Sequence, residues 1–116
     1  MVITGGAQGI GRCIADEFKK EGAHVCIIDL KENEYIQGDI SKKEDLESFA
    51  QKVLDDYGHV DVLINNAGLA AGLEHIDRGD SRDWDAMIDT NVKGLLYVTK
   101  IISHAMVEAG QGGHII

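Results

Sequence analysis

The chain has 116 residues, enough for one domain. With 44% hydrophobic and 27% charged residues it has the balance of a globular protein, and its net charge of −9 argues against nucleic acid and anionic membrane as main partners. It contains no apolar run long enough to span a bilayer, its start "MVITGGAQ" does not read as a signal peptide, and Cys13 and Cys26 sit in apolar patterns that read as reduced core thiols of a cytoplasmic protein.

"MVIT" (1–4) reads as a short strand running into a glycine-rich turn. Ile10, Cys13, Ile14 and Phe18 then recur at helical spacing, and Gly22 is placed to end that helix. "HVCIID" (24–29) is an apolar, β-branched run of the kind found in buried parallel strands, and "YIQGDI" (35–40) is a weaker third strand. Ser41 and Glu44 form the S-x-x-E pattern of a capping box. Behind them Leu46, Phe49, Ala50, Val53, Leu54 and Tyr57 trace one helical face, closed by Gly58. "VDVLIN" (60–65) is a fourth strand, and 67–80 a loop with glycines and charges. Ser81 is placed to cap one long helix running through about residue 109, with Trp84, Met87, Ile88, Val92, Leu95, Leu96, Ile102 and Met106 on its apolar face. Gly110 ends it, and "HII" begins a fifth strand.

Strands alternating with amphipathic helices imply an α/β fold: a Rossmann-type, doubly wound parallel sheet in the order 3-2-1-4-5. One joint fits poorly. Parallel neighbours usually need a crossover of a dozen or more residues, and only five lie between Asp29 and Tyr35. Either an irregular stretch replaces the crossover helix or residues are missing there.

The chemistry begins at "TGGAQGIG", Thr4 to Gly11, between a strand and a helix. Gly5 suits the tight turn, Gly9 the approach of a pyrophosphate to the helix N-terminus, and Gly11 close helix–strand packing. Gln8 brings no positive charge to this loop. Asp29 ends the second strand, where a carboxylate accepts from a ribose diol and repels a 2′-phosphate. NAD is therefore expected over NADP, with Arg12 and Lys31 as nearby cations that keep NADP open. The histidines show no metal-like spacing, so no metal site is expected.

These residues resemble the short-chain dehydrogenase/reductases, in their classical branch. The glycine pattern T-G-x-x-x-G-I-G stands at Thr4, Gly5, Gly9, Ile10 and Gly11. The residues that flank the adenosine are matched by Asp29 with Leu30, and by Asp39 with Ile40. The N-N-A-G signature stands at Asn65, Asn66, Ala67 and Gly68, and Asn91 in "DTNVKG" matches the helical asparagine of the catalytic tetrad. Gly5, Gln8, Gly9, Ile10, Gly11, Asp29, Leu30, Asp39, Ile40, Asn65, Asn66, Ala67 and Gly68 are thus the expected cofactor residues, and Asn91 the one expected catalytic residue. Asn65 is expected to be mainly structural, bridging strands.

The resemblance implies an NAD-dependent oxidoreductase that interconverts an alcohol and a ketone by hydride transfer, acting as a homodimer or homotetramer through the helix at about 82–109. It also implies that residues 1–116 are a single, incomplete dinucleotide-binding domain, ending after the fifth strand and before the catalytic serine, tyrosine and lysine. None of Tyr35, Tyr57 and Tyr97 has lysine four residues on. Alone, the 116 residues are expected to be inactive. A non-catalytic NAD-binding interaction module and other Rossmann enzymes remain alternatives at this point.

Overall fold

A computed structural model describes residues 1–116. Five strands form one sheet in the order β3-β2-β1-β4-β5. They are β1 (Val2–Thr4), β2 (Cys26–Asp29), β3 (Ile36–Gln37), β4 (Val62–Ile64) and β5 (His114–Ile115). Every pairing is parallel, with Ile3 opposite Ile27 on one side and Ile64 on the other. This is the order and the direction expected from the alternation of strands and helices.

The pleat sends successive side chains to opposite faces. Ile3, Ile27 and Ile64 point to the face covered by α1 (Gly9–Lys20), where they meet Ala15 with Ile14 and Phe18 beside it. Val2, Cys26, Ile28 and Leu63 point the other way. There they meet Leu46, Phe49 and Val53 of α2 (Lys43–Tyr57) and Val98, Ile102 and Met106 of α4 (Leu95–Ala109). Phe49 is 1% exposed, and burying an aromatic ring of this kind is worth about 1.5–3 kcal/mol. The i,i+4 ion pairs, such as Lys52–Asp56, stand in solvent and are screened, so packing rather than surface charge holds the fold.

The helix ends differ in part from expectation. Gly58 and Gly110 close α2 and α4 in the left-handed conformation, which glycine adopts without a Cβ penalty. The capping box at Ser41 and Glu44 does not form. Helix α2 begins at Lys43 with no side-chain cap, and the Ser41 hydroxyl donates to Asp39 instead. Asp39 Oδ1 also takes the Ser41 N–H at 2.9 Å, the N–H that the Glu44 side chain accepts in a capping box. Ser41 is thereby locked in a turn rather than a cap.

The helix expected over 82–109 is three segments. Helix α3 (Ser81–Ile88) is capped by Asp80, whose carboxylate accepts from the Arg82 N–H, so the cap lies one residue before Ser81. A π-helical segment (Asp89–Gly94) comes next and runs into α4. A π turn holds an extra residue and rotates the downstream helix by roughly 100°. The buried stripe of α4 is therefore Val98, Ile102 and Met106, continuing from Gly94. Trp84, Ile88, Val92, Leu95 and Leu96, expected on the apolar face, are instead 40–57% exposed. Cys13 is likewise exposed and Ile10 is 76% exposed, because α1 buries only a narrow stripe through Gly11 and Ala15; Cys26 is the core thiol.

The short joint between β2 and β3 is an irregular stretch with no helix. Side chains hold it. Asn33 accepts from the Tyr35 N–H and donates to the carbonyls of Lys31 and Ile36. The Gln37 amide donates to Leu30 at 2.7 Å. Glu34 accepts from both guanidinium nitrogens of Arg12, at 2.6 and 2.8 Å, and from Lys19. These cations, Arg12 first, hold its carboxyl far below the usual range. Tyr35 packs edge-on against Phe49 and donates to Asp56 at 2.7 Å. Burial, reinforced by that bond, pushes its phenol up.

Candidate dinucleotide cleft

The carboxyl ends of the strands open onto a cleft of about 370 Å³. Its walls come from the loop after β1 (Gly5, Gln8, Gly9, Ile10, Gly11), the end of β2 (Asp29, Leu30, Lys31), the turn after β3 (Gly38, Asp39, Ile40) and the turn after β4 (Asn66, Ala67, Gly68, Leu69). Ligands of open α/β sheets bind at this position, where the chain order reverses on either side of β1.

Gly5 and Gly11 stand where a Cβ has no room, as a tight turn and close helix–strand packing require. Gly5 has φ +69°, and a Cβ there would lie 2.9 Å from the Ala67 Cα. Gly9 has φ +57° and nothing within 4 Å of where its Cβ would be, so it leaves open space at the helix start. At Gly11 a Cβ would lie 2.2 Å from the Gly5 carbonyl oxygen. Helix α1 has no side-chain cap at Gln8 and no acidic residue in its first turn. Its free N–H groups and positive dipole end therefore suit an anion such as a pyrophosphate.

Asp29 ties the cleft together. Its Oδ2 accepts the Ala7 N–H and its Oδ1 the Lys31 N–H, each at 2.9 Å. A carboxylate has about four acceptor sites, so both oxygens retain capacity for a diol. Lys31 is the cation of the cleft wall, and its ammonium donates to the Gln8 amide oxygen. Arg12 is turned away into the pair with Glu34. Leu30 and Ile10 are largely exposed at the rim. Asp39 takes the Ser41 bonds on Oδ1 alone, while its own N–H donates to Asp45. Ile40 is 6% exposed and is pressed against Gly94, where a Cβ would lie 2.9 Å from its side chain.

Asn65 and Asn66 both bridge strands, in different ways. Asn66, not Asn65, bridges β1 and β4 through its side chain: its amide donates to the carbonyls of Thr4 and Gly5 at 3.1 and 2.9 Å. Asn65 bridges β4 to β5 through its main chain, donating to Ile116. Its side chain faces α4, donates to Thr99 at 3.1 Å, and leaves a buried Oδ1 without a partner. It is not in the cleft wall.

Asn91 lies in the π segment, which brings it over the turn after β4. Its side chain accepts the Leu69 N–H and donates to the Leu69 carbonyl, both at 2.7 Å. The amide is thus spent on holding the wall beside Gly68. No tyrosine lines the cleft. Tyr97 and Lys100 face a separate groove of about 1130 Å³ between α2 and α4, which has no glycine loop and no strand end in its walls.

Two contributors are absent from the expected set. Thr4 is 1% exposed, and its hydroxyl accepts the N–H groups of Asn66 and Ala67 at 3.1 and 2.9 Å. Its position at the head of the glycine motif was the available signal. Thr90, at the start of the π segment, lines the cleft; no local pattern marks it.

Comparison with known proteins agrees with this arrangement. The family model for short chain dehydrogenases matches residues 1–116. The NADP-dependent 3-hydroxy acid dehydrogenase YdfG of Shigella flexneri is 35% identical over 129 residues, covering 100% of this chain and 52% of the relative. The NAD-dependent glycerol dehydrogenase of Listeria innocua is 34% identical over 128 residues, covering 99% and 50%. The crystal structure of serine dehydrogenase from Escherichia coli superposes with a TM-score of 0.88 at 31% identity, covering 98% of this chain and 58% of that one. The chain spans about half the length of the curated relatives it matches. With its glycine loop, its parallel order and a family match from end to end, the chain belongs to the short chain dehydrogenase family.

Proposed function

We propose that residues 1–116 are the single, incomplete dinucleotide-binding domain of an oxidoreductase that prefers NAD and interconverts an alcohol and a ketone. The observation that carries this reading is Asp29. Its carboxylate stands in the cleft wall, fixed by two main-chain N–H groups. There it accepts from a ribose diol and repels a 2′-phosphate. When bound, the nicotinamide cofactor supplies or takes up the hydride. The residues of this chain do the holding: the α1 N-terminus takes the pyrophosphate, Asp39 and Ile40 the adenine, and Ala67 and Gly68 leave room for the ribose. Asn91 belongs to the catalytic set as a positioning residue, through Leu69. The serine, tyrosine and lysine that handle the proton lie beyond Ile116 in this reading.

Asp29→Ala in the full-length protein is expected to narrow the preference for NAD over NADP by about 1–3 kcal/mol, the scale of a lost charge-assisted hydrogen bond. Titration of both cofactors, followed by NADH absorbance with a panel of alcohols and ketones, checks this. Equal affinities in the wild type, or no turnover with any carbonyl, would sink it.

NADP is the second reading, favoured by one observation: Lys31 stands in the cleft wall beside Asp29. A homodimer or homotetramer through the α4 face carrying Tyr97, Ile101 and Ala105 belongs to the same proposal, as does a cytoplasmic location. Those three side chains line the α2–α4 groove and are not fully buried. Sedimentation at micromolar concentration is expected to show an oligomer; a monomer alone would count against it. No helix is long and apolar enough to cross a membrane.

A further inference from the structure

We propose that Glu34 is a specificity-determining residue: by occupying Arg12, with Lys19 as a second partner further along α1, it withholds a cation one helical turn from the ribose end of the cleft and disfavours a 2′-phosphate. The inference rests on the reading of the cleft as a dinucleotide site.

Arg12 stands in the first turn of α1, with its N–H bonded to the Gln8 carbonyl at 3.1 Å. Gln8 is part of the cleft wall, and its side chain holds Lys31. Three cations thus surround the short joint between β2 and β3: Arg12 and Lys19 on the helix, Lys31 on the joint. Each has a partner. Lys31 meets the neutral Gln8 amide, while Arg12 and Lys19 share the one carboxylate of Glu34. The Arg12 pair is bidentate, at 2.6 and 2.8 Å. Asp16 is a second acidic neighbour of Arg12, at 3.7 Å and without the forked geometry.

A guanidinium fork binds a carboxylate or a phosphate through the same N–H groups, so the two compete for it. With Glu34 in place the fork is taken. Without it, Arg12 is one helical turn from the Gln8 edge of the cleft, and the local field gains a full positive charge. Glu34 itself is outside the cleft wall. Its removal therefore leaves the contacts to an unphosphorylated ribose in place, and the effect falls mainly on NADP, which carries the additional phosphate. The short joint makes this pairing possible, because Glu34 lies only five residues past Asp29 and reaches back to α1.

The test is Glu34→Gln in the full-length protein, with NAD+ and NADP+ titrated separately at low and high salt. NADP+ is expected to bind about three- to tenfold more tightly at low salt, the range of a screened charge contact, with most of that gain lost at high salt. NAD+ affinity is expected to change less than about twofold. Arg12→Gln with Lys19→Gln, added to Glu34→Gln, is expected to remove the gain, and Glu34→Asp, which keeps the charge, to hold the wild-type ratio. NADP+ affinity unchanged in Glu34→Gln overturns the proposal. So does a parallel loss for both cofactors with a lowered melting temperature, which would make Glu34 a structural tether. A wild-type protein that binds neither dinucleotide ends this inference together with the reading of the cleft. A wild type that prefers NADP+ ends only the preference for NAD, and a further gain in Glu34→Gln then still supports the role of Glu34.

Discussion

Gly11→Ala is expected to unfold the cleft from the inside. Its new Cβ would lie 2.2 Å from the Gly5 oxygen and 2.5 Å from the Asn66 amide nitrogen. Backbone stands on one side and a bonded side chain on the other, so the helix must move off the sheet by about an ångström. Overpacking of this kind costs about 1–3 kcal/mol. For a domain of this size that lowers the melting temperature by roughly 10 °C. Cofactor affinity falls too, because the Gly5 turn moves with the contact. Gly9→Ala is the useful comparison. It adds about 1–2 kcal/mol of left-handed strain, but its Cβ meets nothing in the protein. Gly9→Ala is therefore expected to fold better than Gly11→Ala while still losing dinucleotide binding, because its methyl group occupies space reserved for the ligand. Thermal melts and NAD+ titrations of both variants decide the matter. A Gly11→Ala melt indistinguishable from wild type would show that the α1–β1 contact is not tight.

Thr4→Val is expected to cost about 2–4 kcal/mol in urea unfolding. The swap preserves shape and removes one oxygen. That oxygen accepts two N–H groups, from Asn66 and Ala67, at a site 1% exposed to water. A fully buried donor left without a partner costs about 1–3 kcal/mol, and these two, on the half-buried Asn66 and Ala67, fall toward the lower end. The turn after β4 is then free to shift, so cofactor affinity is expected to fall with stability. Thr4→Ser keeps the oxygen and should stay within about 1 kcal/mol of wild type. A Thr4→Val protein as stable as Thr4→Ser would mean that the two N–H groups find other partners.

Both variants act on contacts between chain segments far apart in sequence, and this is where sequence reasoning loses its grip. Gly11 could be assigned to close packing from its place in the motif, but not how close the packing is. Asn65 and Asn66 are adjacent amides in one signature, and nothing local says which of them faces the glycine loop. The pleat decides: Asn66 lies over Thr4 and Gly5, and Asn65 is turned to Thr99 on α4. The capping box at Ser41 failed for a similar reason. A serine three residues before a glutamate is a sound local signal, but Asp39 and Asp45 compete for the same turn, and both are better placed.

The architecture and the outline of the cleft are legible in the amino-acid pattern. Strand and helix periods repeat over many residues, so the alternation and the parallel order 3-2-1-4-5 survive local errors. Gly5, Gly58 and Gly110 were readable because a left-handed turn is a demand on a single residue. Asp29 was readable because the end of a strand fixes where its side chain stands. The π segment from Asp89 to Gly94, the exposure of Cys13, the helix-free joint after Asp29, and the capture of Arg12 and Lys19 by Glu34 are settled by packing in three dimensions. Each of these depends on what lies opposite rather than on what comes next. Gly94 has to clear Ile40, and Asn91 has to meet the main chain of Leu69. The π turn accompanies both contacts. A pattern of 3.6 residues records the average path of a helix; it carries no trace of the one turn where a neighbour displaces it.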